Sequence, residues 1–476
     1  MGAERMAEVQ LDDLAPVQPP RGSATAAAIA LRVRALLRRW WPVPVAVVLA
    51  AVAWQVVSDG RAESQADRIR TTPGVLAETV TAPLEATPWG TGESMGLLVS
   101  ATRTADGRLA GVVVPGTGLP AAVVALEPDS GDEAWRVEIG ELPDDRGWTR
   151  AAACTDGGVE PATTLWCTVT DGPEGDGGPV TTRLVEVDTA AGAVVGSHEL
   201  APGSEAVALD GTLVVGTPQP GAVLLVGSDL PSGTERWRTE LPDAVSSSYS
   251  SGWLGSASGH VLIQGEGGTW AVDPADGRVQ AHDDGVYVGR GAELVDIPTA
   301  GGTRTRFLGA DGSGTAEAEG FPMYVWPDDG SAPTVQPMTA PAGSDTVLRG
   351  VDTVSGDVRW ERPAETGARS ASMVLDGVLY ISDLTAVSAV DLETGAELWT
   401  TAASPVLDSG VMTDGRHLLR SETAGRTEEL VLSAYTLHNG SLAWSTPVPE
   451  QVTQLWPMGG ALYGYARDGS EMFLVR

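Results

Sequence analysis

The chain has 476 residues, among them 59 glycines and 32 prolines. Its 63 acidic residues far outnumber its 30 basic ones, all of which are arginines, so the net charge is −33 at pH 7. This charge repels phosphate groups and excludes nucleic acid as a partner, and the content of Val, Leu and Trp excludes a disordered chain.

The N-terminal region predicts a membrane anchor. Residues 1–39 are polar and rich in Ala and Pro, and they indicate a largely disordered cytoplasmic tail. Trp40 to Val57 are 18 residues without a charge, which is near the lower limit for a helix that crosses a ~30 Å hydrocarbon layer. We therefore predict a single transmembrane helix over residues 40–58.

The arginines before this segment predict its orientation. Four of them crowd its N-terminal side: Arg32, Arg34, Arg38 and Arg39. The positive-inside rule then places the N-terminus in the cytoplasm and the body of the protein outside the cell membrane. A cleaved signal peptide, with Ala51 to Ala53 as the cleavage site, is the alternative, and it gives the body the same location.

After the anchor we predict a linker over residues 59–74 and one folded body over residues 75–476. Within that body, Cys154 and Cys167 lie in two β-like runs joined by a Gly/Pro-containing loop. In an oxidising compartment the two cysteines are expected to form a disulfide within a hairpin. No further ligand residues accompany them, so we predict no metal site.

A repeat runs through the body. Five stretches place a Trp four residues after a Gly: Gly131 and Trp135, Gly233 and Trp237, Gly356 and Trp360, Gly395 and Trp399, and Gly440 and Trp444. Two weaker copies have Gly192 and Gly277 without the Trp, and a third, doubtful copy surrounds Gly314. The glycines are separated by 61, 41, 44, 37, 42, 39 and 45 residues. A period of 40–45 residues in β-type units indicates the blades of a propeller.

The repeated residues have a structural explanation. In five copies an Asp precedes the Gly by four residues: Asp188, Asp229, Asp273, Asp352 and Asp391. The Asp can accept backbone N–H bonds in a turn, and the Gly supplies the positive φ that returns the chain. The Trp on the following strand is predicted to dock between neighbouring blades, with its N–H on a backbone carbonyl. Three strand-like runs precede each turn and one follows it, which gives a four-stranded antiparallel blade.

The copy "AVDLETGAELW", which starts at Ala389, resembles the tryptophan-docking repeat of the PQQ-like β-propeller superfamily. This superfamily includes quinoprotein alcohol dehydrogenases and the lipoprotein BamB, which supports outer-membrane protein assembly without a cofactor. The resemblance implies an all-β propeller of four-stranded blades over residues 75–476, after the transmembrane helix. We predict eight blades, with seven to nine open. Closure is expected through pairing of "LAETVTAPLEATPW" with the C-terminal strands.

The residues that carry quinoprotein chemistry are not recognised in this sequence. The resemblance would imply a Ca²⁺ site of Glu, Asn and Asp and often an adjacent cysteine pair, but the cysteines are not adjacent and the only asparagine, Asn439, lies in a predicted turn. No G-x-S-x-G motif is present either. We predict no catalytic, cofactor-binding or metal-binding residues, and no enzyme.

After these exclusions we predict a non-catalytic scaffold that binds an unknown protein partner in envelope assembly. One alternative is an extracytoplasmic receptor or sensor that binds a small molecule in its central funnel. The other is a PQQ-dependent dehydrogenase.

Overall fold

The structure is a computed structural model of the chain. It describes residue 60 and residues 63–476, except 92, 100, 115–119, 141–147, 157–161, 173–180, 231, 245–252, 258, 266–267, 284–285, 288–303, 309–314, 344, 365–370, 424–428 and 468. The predicted tail, the predicted transmembrane helix and Gly314 of the doubtful copy lie outside the described residues. Among the residues that are described, no helix combines the length and the apolar character needed to cross a membrane.

The chain divides into two compact units, Met1–Ser64 and Gln65–Arg476. The second unit consists almost entirely of short β-strands. The strands of its first half are β1 Ala86–Thr91, β2 Thr102–Arg103, β3 Leu109–Val113, β4 Ala122–Leu126, β5 Glu133–Glu138, β6 Trp148–Thr155, β7 Thr164–Gly172, β8 Thr181–Asp188, β9 Ala193–Leu200, β10 Glu205–Leu209, β11 Thr212–Gln219, β12 Ala222–Asp229, β13 Glu235–Pro242, β14 Leu254–Ala257, β15 His260–Gly265, β16 Gly268–Val272, β17 Val279–Asp283 and β18 Val286–Tyr287. One short helix, α1 Glu93–Val99, follows β1.

The second half continues the same pattern. Its strands are β19 Arg304–Leu308, β20 Thr315–Glu319, β21 Phe321–Pro322, β22 Val325–Asp328, β23 Val335–Ala342, β24 Asp345–Asp352, β25 Val358–Pro363, β26 Ala371–Leu375, β27 Val378–Ser382, β28 Ala386–Asp391, β29 Glu397–Ala402, β30 Val406–Thr413, β31 His417–Thr423, β32 Leu430–Thr436, β33 Leu442–Pro447, β34 Gln454–Met458, β35 Ala461–Tyr465 and β36 Glu471–Val475.

The strands form small sheets in chain order, which we number. Sheets 1 to 4 are β2–β5, β6–β9, β10–β13 and β14–β17; sheet 5 is β18–β20; sheet 6 is β21 with β23–β25; sheet 7 is β22 with β26–β29; and sheet 8 is β30–β33. Seven of these sheets have four or five strands, and in each of the seven the last two strands flank one of the predicted glycine turns. The predicted all-β fold of four-stranded antiparallel units is confirmed.

A ninth sheet, the closing sheet, joins the two ends of this unit. Its order is β1-β36-β35-β34, with Ala86 opposite Val475 and Thr91 opposite Glu471. The C-terminal segment thus supplies three strands and the N-terminal segment supplies the outer one. The predicted pairing of these two segments is confirmed, and it leaves neither terminal strand unpaired.

Two sheets depart from the four-stranded pattern. Sheet 5 has three strands within the described ranges, and β18 runs parallel to β19. Sheet 7 has a fifth strand because β22 adds to β26 in parallel, at the end of the sheet opposite the outer strand β29.

The hydrophobic core lies between neighbouring sheets. One cluster joins Val112 and Val123 of sheet 1 to Leu165 and Val187 of sheet 2. Equivalent clusters join sheet 3 to sheet 4, sheet 6 to sheet 7, sheet 7 to sheet 8, sheet 8 to the closing sheet, and the closing sheet to sheet 1. Apolar residues on both faces of sheets 1, 7 and 8 and of the closing sheet are therefore buried, as expected for stacked blades.

Residues 65–85 form a strap across three consecutive sheets. Leu76 N donates to Thr413 O of sheet 8 at 2.9 Å, and Ala77 N donates to Gly460 O of the closing sheet at 2.7 Å. Ile69 and Val75 are buried against sheets 7 and 8. The compact unit therefore begins at Gln65, whereas the predicted boundary was residue 75. The reason is that apolar side chains of this largely polar segment, such as Ile69, are buried against sheets 7 and 8.

Two N-terminal truncations distinguish the contribution of the strap to stability from that of the predicted anchor. A chain that begins at Gln65 should unfold with the same free energy as the full chain. A chain that begins at Val75 loses the buried Ala66 and Ile69 and should be less stable by about 2–4 kcal/mol. Denaturant unfolding followed by tryptophan fluorescence measures both values, and equal stability of the two truncated chains would show that residues 65–74 of the strap do not contribute to stability.

Candidate functional site

The seven predicted glycines occupy equivalent turns. Their φ angles all lie between +58° and +79°, in the left-handed region that favours glycine. In each turn the glycine N–H donates to the carbonyl of the residue four positions earlier, as Gly395 N does to Asp391 O at 2.8 Å. The turn is therefore closed by the backbone and requires glycine at this position.

The aspartates at the start of five of these turns accept further hydrogen bonds. Asp391 Oδ1 accepts the backbone N–H of Thr394 at 2.8 Å, and Asp188 Oδ1 accepts the N–H groups of Ala190 and Ala191. The remaining three, Asp229, Asp273 and Asp352, also accept hydrogen bonds inside their own turns. These carboxylates are occupied by the turn itself.

Charge partners reinforce two of the turns. Hydrogen bonds, first from Arg359 and then from the turn backbone, lower the pKa of Asp352. Hydrogen bonds from Ser232 and then Arg236 lower the pKa of Asp229. Both carboxyl groups therefore stay ionised, and able to accept these bonds, at a lower pH than a free Asp side chain.

Tryptophan side chains pack against the glycine of the next sheet. The ring of Trp360 in sheet 6 lies against Gly395 of sheet 7, where a Cβ atom would come within 2.6 Å of the ring. Its Nε1–H donates to Leu392 O in the same turn at 2.8 Å. Trp237 and Trp399 repeat this arrangement on Gly277 and Gly440, with hydrogen bonds to Pro274 O and Leu437 O.

The other two predicted tryptophans differ. Trp135 lies against Gly192, but its Nε1 has no hydrogen-bond partner in the described structure. Trp444 packs on the core between sheet 8 and the closing sheet and meets His417 edge-on at 6.3 Å. The closing sheet has no turn before its outer strand, so Trp444 faces no equivalent glycine there.

Trp89 is a docking residue that sequence reasoning missed. It lies on β1, the outer strand of the closing sheet, and its ring packs against Gly131 of sheet 1 while Nε1–H donates to Pro128 O at 2.9 Å. Its side chain is 2% exposed. No glycine precedes it by four residues, because this blade is assembled from both ends of the unit. The feature of the sequence that could have identified it is its position in the N-terminal segment predicted to pair with the C-terminal strands.

The two cysteines are opposite each other on β6 and β7 of sheet 2. Cys154 and Cys167 form a disulfide with a Cα–Cα distance of 4.0 Å. Cys167 is fully buried. The bridge therefore links two strands of one sheet, next to the core shared with sheet 1.

A buried arginine connects sheets 7 and 8, and no sequence motif predicted it. The guanidinium of Arg420 donates to three backbone carbonyls, those of Leu384, Ala386 and Ser404, at 2.8–3.1 Å. Burial lowers the pKa of Arg420, and the carboxylate of Glu422, 3.6 Å away, opposes that shift. These bonds tie Arg420 of sheet 8 to the start of β28 in sheet 7 and to the segment that connects the two sheets, while its Nε has no hydrogen-bond partner in the described structure.

Two cavities lie between blades. The larger, about 460 Å³, lies beside Trp89 and Gly131 and is lined by Ser94, Asp132 and Arg136 among others. The smaller, about 310 Å³, lies between sheets 3 and 4. In the latter His260 Nε2 is 2.7 Å from the side-chain oxygen of Gln280, whose amide donates to Asp273. These polar groups are bonded to each other and to a blade turn.

Aromatic side chains are exposed on the strands at the inner ends of sheets 6 and 7. Phe321 lies on β21, Tyr324 precedes β22 and Trp326 lies within it. Between 38% and 50% of each residue's surface is exposed. The ring of Trp326 packs against Gly74 of the strap, so Phe321 and Tyr324 are the more exposed of the three.

The polar residues that could take part in a metal or cofactor site include those that form the turns. In the ranges that the structure describes, no three or more His, Cys, Asp or Glu side chains are grouped as a metal site would require. Asn439 is used in the turn of sheet 8, where its side-chain oxygen accepts the N–H of Ser441 at 3.0 Å.

Comparison with known proteins supports the repeat. Residues 383–472 match the family model described as outer membrane protein assembly factor BamB. The matched segment runs from sheet 7 through sheet 8 to the closing sheet. Together with the sheets described above, this match confirms the predicted resemblance to PQQ-like β-propellers.

Two solved structures illustrate the wider similarity. BamB from Moraxella catarrhalis aligns with a TM-score of 0.41 and 16% identity, over 83% of this chain and 98% of that one. A quinohemoprotein alcohol dehydrogenase from Comamonas testosteroni aligns with a TM-score of 0.38 and 11% identity, over 82% and 76%. At these values the structural similarities say nothing about function. None of the curated proteins compared with this chain matches it.

The docking contact can be tested with two glycines of similar φ. Gly395 and Gly377 have φ values of +71° and +76°, but only Gly395 faces a tryptophan, and nothing lies within 4 Å of a Cβ atom built on Gly377. Substitution by Ala at either site costs about 1–2 kcal/mol for the left-handed backbone. Gly395→Ala should cost about 1–3 kcal/mol more, because its methyl group displaces Trp360.

The measurement is the free energy of unfolding in denaturant for both variants. Near-ultraviolet circular dichroism should report the altered Trp360 environment in Gly395→Ala alone. Equal costs at the two sites would mean that the tryptophan contact does not contribute to stability.

Proposed function

We propose that this protein is a membrane-anchored, extracytoplasmic β-propeller that acts as a non-catalytic scaffold for another protein of the cell envelope. The observation that carries the proposal is the match of residues 383–472 to the model of an outer membrane protein assembly factor. In this proposal the anchor is the segment over residues 40–58, and the arginines before it support a cytoplasmic location for residues 1–39. We further propose eight blades, supported by eight sheets of four or five strands.

The use of the repeated residues supports a scaffold over an enzyme. The aspartates, glycines and tryptophans that distinguish this sequence are engaged in turns and inter-blade contacts. Asn439, the asparagine that a quinoprotein-type site would need, is held in a blade turn. A dehydrogenase would have to use other residues, whereas a scaffold needs only the exposed strands and loops that this architecture presents.

Crosslinking in intact cells tests the scaffold and its location together. In cells that produce the full chain, an amine- and carboxyl-reactive crosslinker should join the propeller to a defined envelope protein. Protease added to intact spheroplasts should degrade the propeller and leave residues 1–39 protected. Recovery of no crosslinked protein from the membrane fraction would contradict the scaffold, and a propeller that resists external protease in sealed spheroplasts would contradict the location.

The second candidate is a receptor that binds a small molecule in the central funnel, and the exposed aromatic rings on β21 and β22 favour it. Rings with accessible faces are suited to sugars and to short peptides. A thermal-shift screen with disaccharides and tripeptides should raise the melting temperature of the wild-type chain, because a ligand stabilises the folded state it binds. Tyr324→Ala should lose that shift. A shift that persists in this variant, or no shift with any compound, would contradict the receptor.

A further inference from the structure

The outer strands of sheets 6 and 8 have the same length and the same Trp and Pro positions, but they differ in charge. β25 reads VRWERP and β33 reads LAWSTP, so both have six residues, Trp at the third position and Pro at the sixth. Three residues of β25 are charged, namely Arg359, Glu361 and Arg362. None of the residues of β33 is.

Most outer strands of the other sheets also carry charges. β5 has three charged residues, β13 has four and β20 has two, while β9, β17 and β29 have one each. Among the described outer strands, only β1 shares the lack of charge with β33. In β1, however, Pro88 removes a hydrogen-bond donor from the middle of the strand, and the register shifts between Pro88 and Gly90.

Charge on an outer strand has a known physical effect. The free edge of a sheet presents unpaired N–H and C=O groups to any other strand, and charged side chains or internal prolines discourage such pairing. In a protein with 93 charged residues, the lack of any charge on one exposed edge is notable. β33 therefore lacks the protection that its matched strand, β25, possesses.

The described residues leave one side of β33 unpaired. In the described part of the chain β33 pairs with β32 alone, and Leu442, Ala443 and Ser445 are exposed. Leu442 is 54% exposed, and Leu398 on the outer strand of the preceding sheet is 51% exposed. The one charge of that strand, Glu397, is paired with Arg362 at 2.6 Å.

The polar network of sheet 8 lies on the inner side of the same strand. Ser445 Oγ is 3.1 Å from Ser433 Oγ, which donates to Glu422 at 2.9 Å. Glu422 in turn accepts the hydroxyl of Tyr435 at 2.7 Å. β33 is thereby held to its sheet through side chains as well as backbone, which presents a pre-ordered edge to an incoming strand.

We propose that β33 is a docking edge, onto which an extended segment of a partner protein adds as a further antiparallel or parallel strand of sheet 8. Backbone hydrogen bonds would give affinity, and the exposed Leu442 would contact alternate side chains of the added strand. The absence of charge on β33 selects a segment without charge over about six residues.

The charge of the whole protein selects the kind of partner. A second copy of this chain also carries a net charge of −33, so pairing of two β33 edges would bring two strongly acidic bodies together. A different protein, whose uncharged segment is flanked by Lys or Arg, is attracted by the same field. This inference rests on the proposed scaffold function and adds the surface and the chemistry of the partner segment.

Hydrogen exchange with a synthetic peptide tests the edge. The probe is the peptide KKTVTVTVKK, and its control is KKTVPVPVKK, in which prolines remove two donors. With the purified chain, the first peptide should slow amide exchange in β33, and the second should not. The double variant Leu442→Glu/Ala443→Arg, which places two charges on β33 and leaves the network of Ser445 intact, should bind the peptide about tenfold more weakly. Thermal unfolding of this variant confirms that it is folded.

Strand β25 is the internal control. Exchange in β25 should not change with the peptide, and Arg359→Ala/Glu361→Ser should create protection there. No protection at β33, or equal protection at β25 in the wild-type chain, would overturn the proposal. So would a dimer in sedimentation equilibrium that the Leu442→Glu/Ala443→Arg variant abolishes, because a second copy would then occupy the edge. Each of these failures leaves the crosslinking test of the scaffold unaffected.

Discussion

The packing of a tryptophan ring from one sheet against a left-handed glycine in the next is the interaction on which the rest of this structure depends. The glycine meets two requirements at once. The turn needs φ near +70°, and the tryptophan ring needs the space that a Cβ atom would fill. Small residues opposite the ring serve the same purpose, since Gly350 pairs with Trp360 and Ala389 with Trp399. The indole N–H then bonds the turn and sets the spacing of the blades.

Closure places a second constraint on the chain. A ring of stacked blades has a stable core only if its first and last sheets also meet, and here one sheet is assembled from β1 and β34–β36. The same contact then appears between blades that are distant in sequence, with Trp89 on Gly131. The strap over residues 65–85 reaches the closing sheet across the turns of sheets 7 and 8, so the segment nearest the predicted anchor is also part of the fold.

Because the repeated residues are engaged in turns and inter-blade contacts, the function depends on the exposed residues of the blades. The turns and the docking tryptophans use the residues that the sequence repeats most clearly, and Arg420 with Glu422 uses buried charge to hold two sheets together. The charge of the outer strands varies between blades, since LAWSTP in sheet 8 has no charged residue and VRWERP in sheet 6 has three. The charge of these strands can therefore differ from blade to blade, and this is where a propeller can distinguish one partner surface from the rest of its rim.

The sequence alone determined the repeat, the turn chemistry and the pairing of the N-terminal segment with the C-terminal strands, because short-range spacing dictates turns and strand alternation. It did not reveal Trp89, whose partner glycine belongs to another part of the chain, or the strap, whose apolar residues are scattered in a polar segment. Nor did it reveal Arg420, whose three carbonyl partners lie at the start of β28, just before it, and in the connection between sheets 7 and 8. Only the tertiary structure decided these contacts, because each depends on which blades become neighbours in space. A local residue pattern does not specify those neighbours.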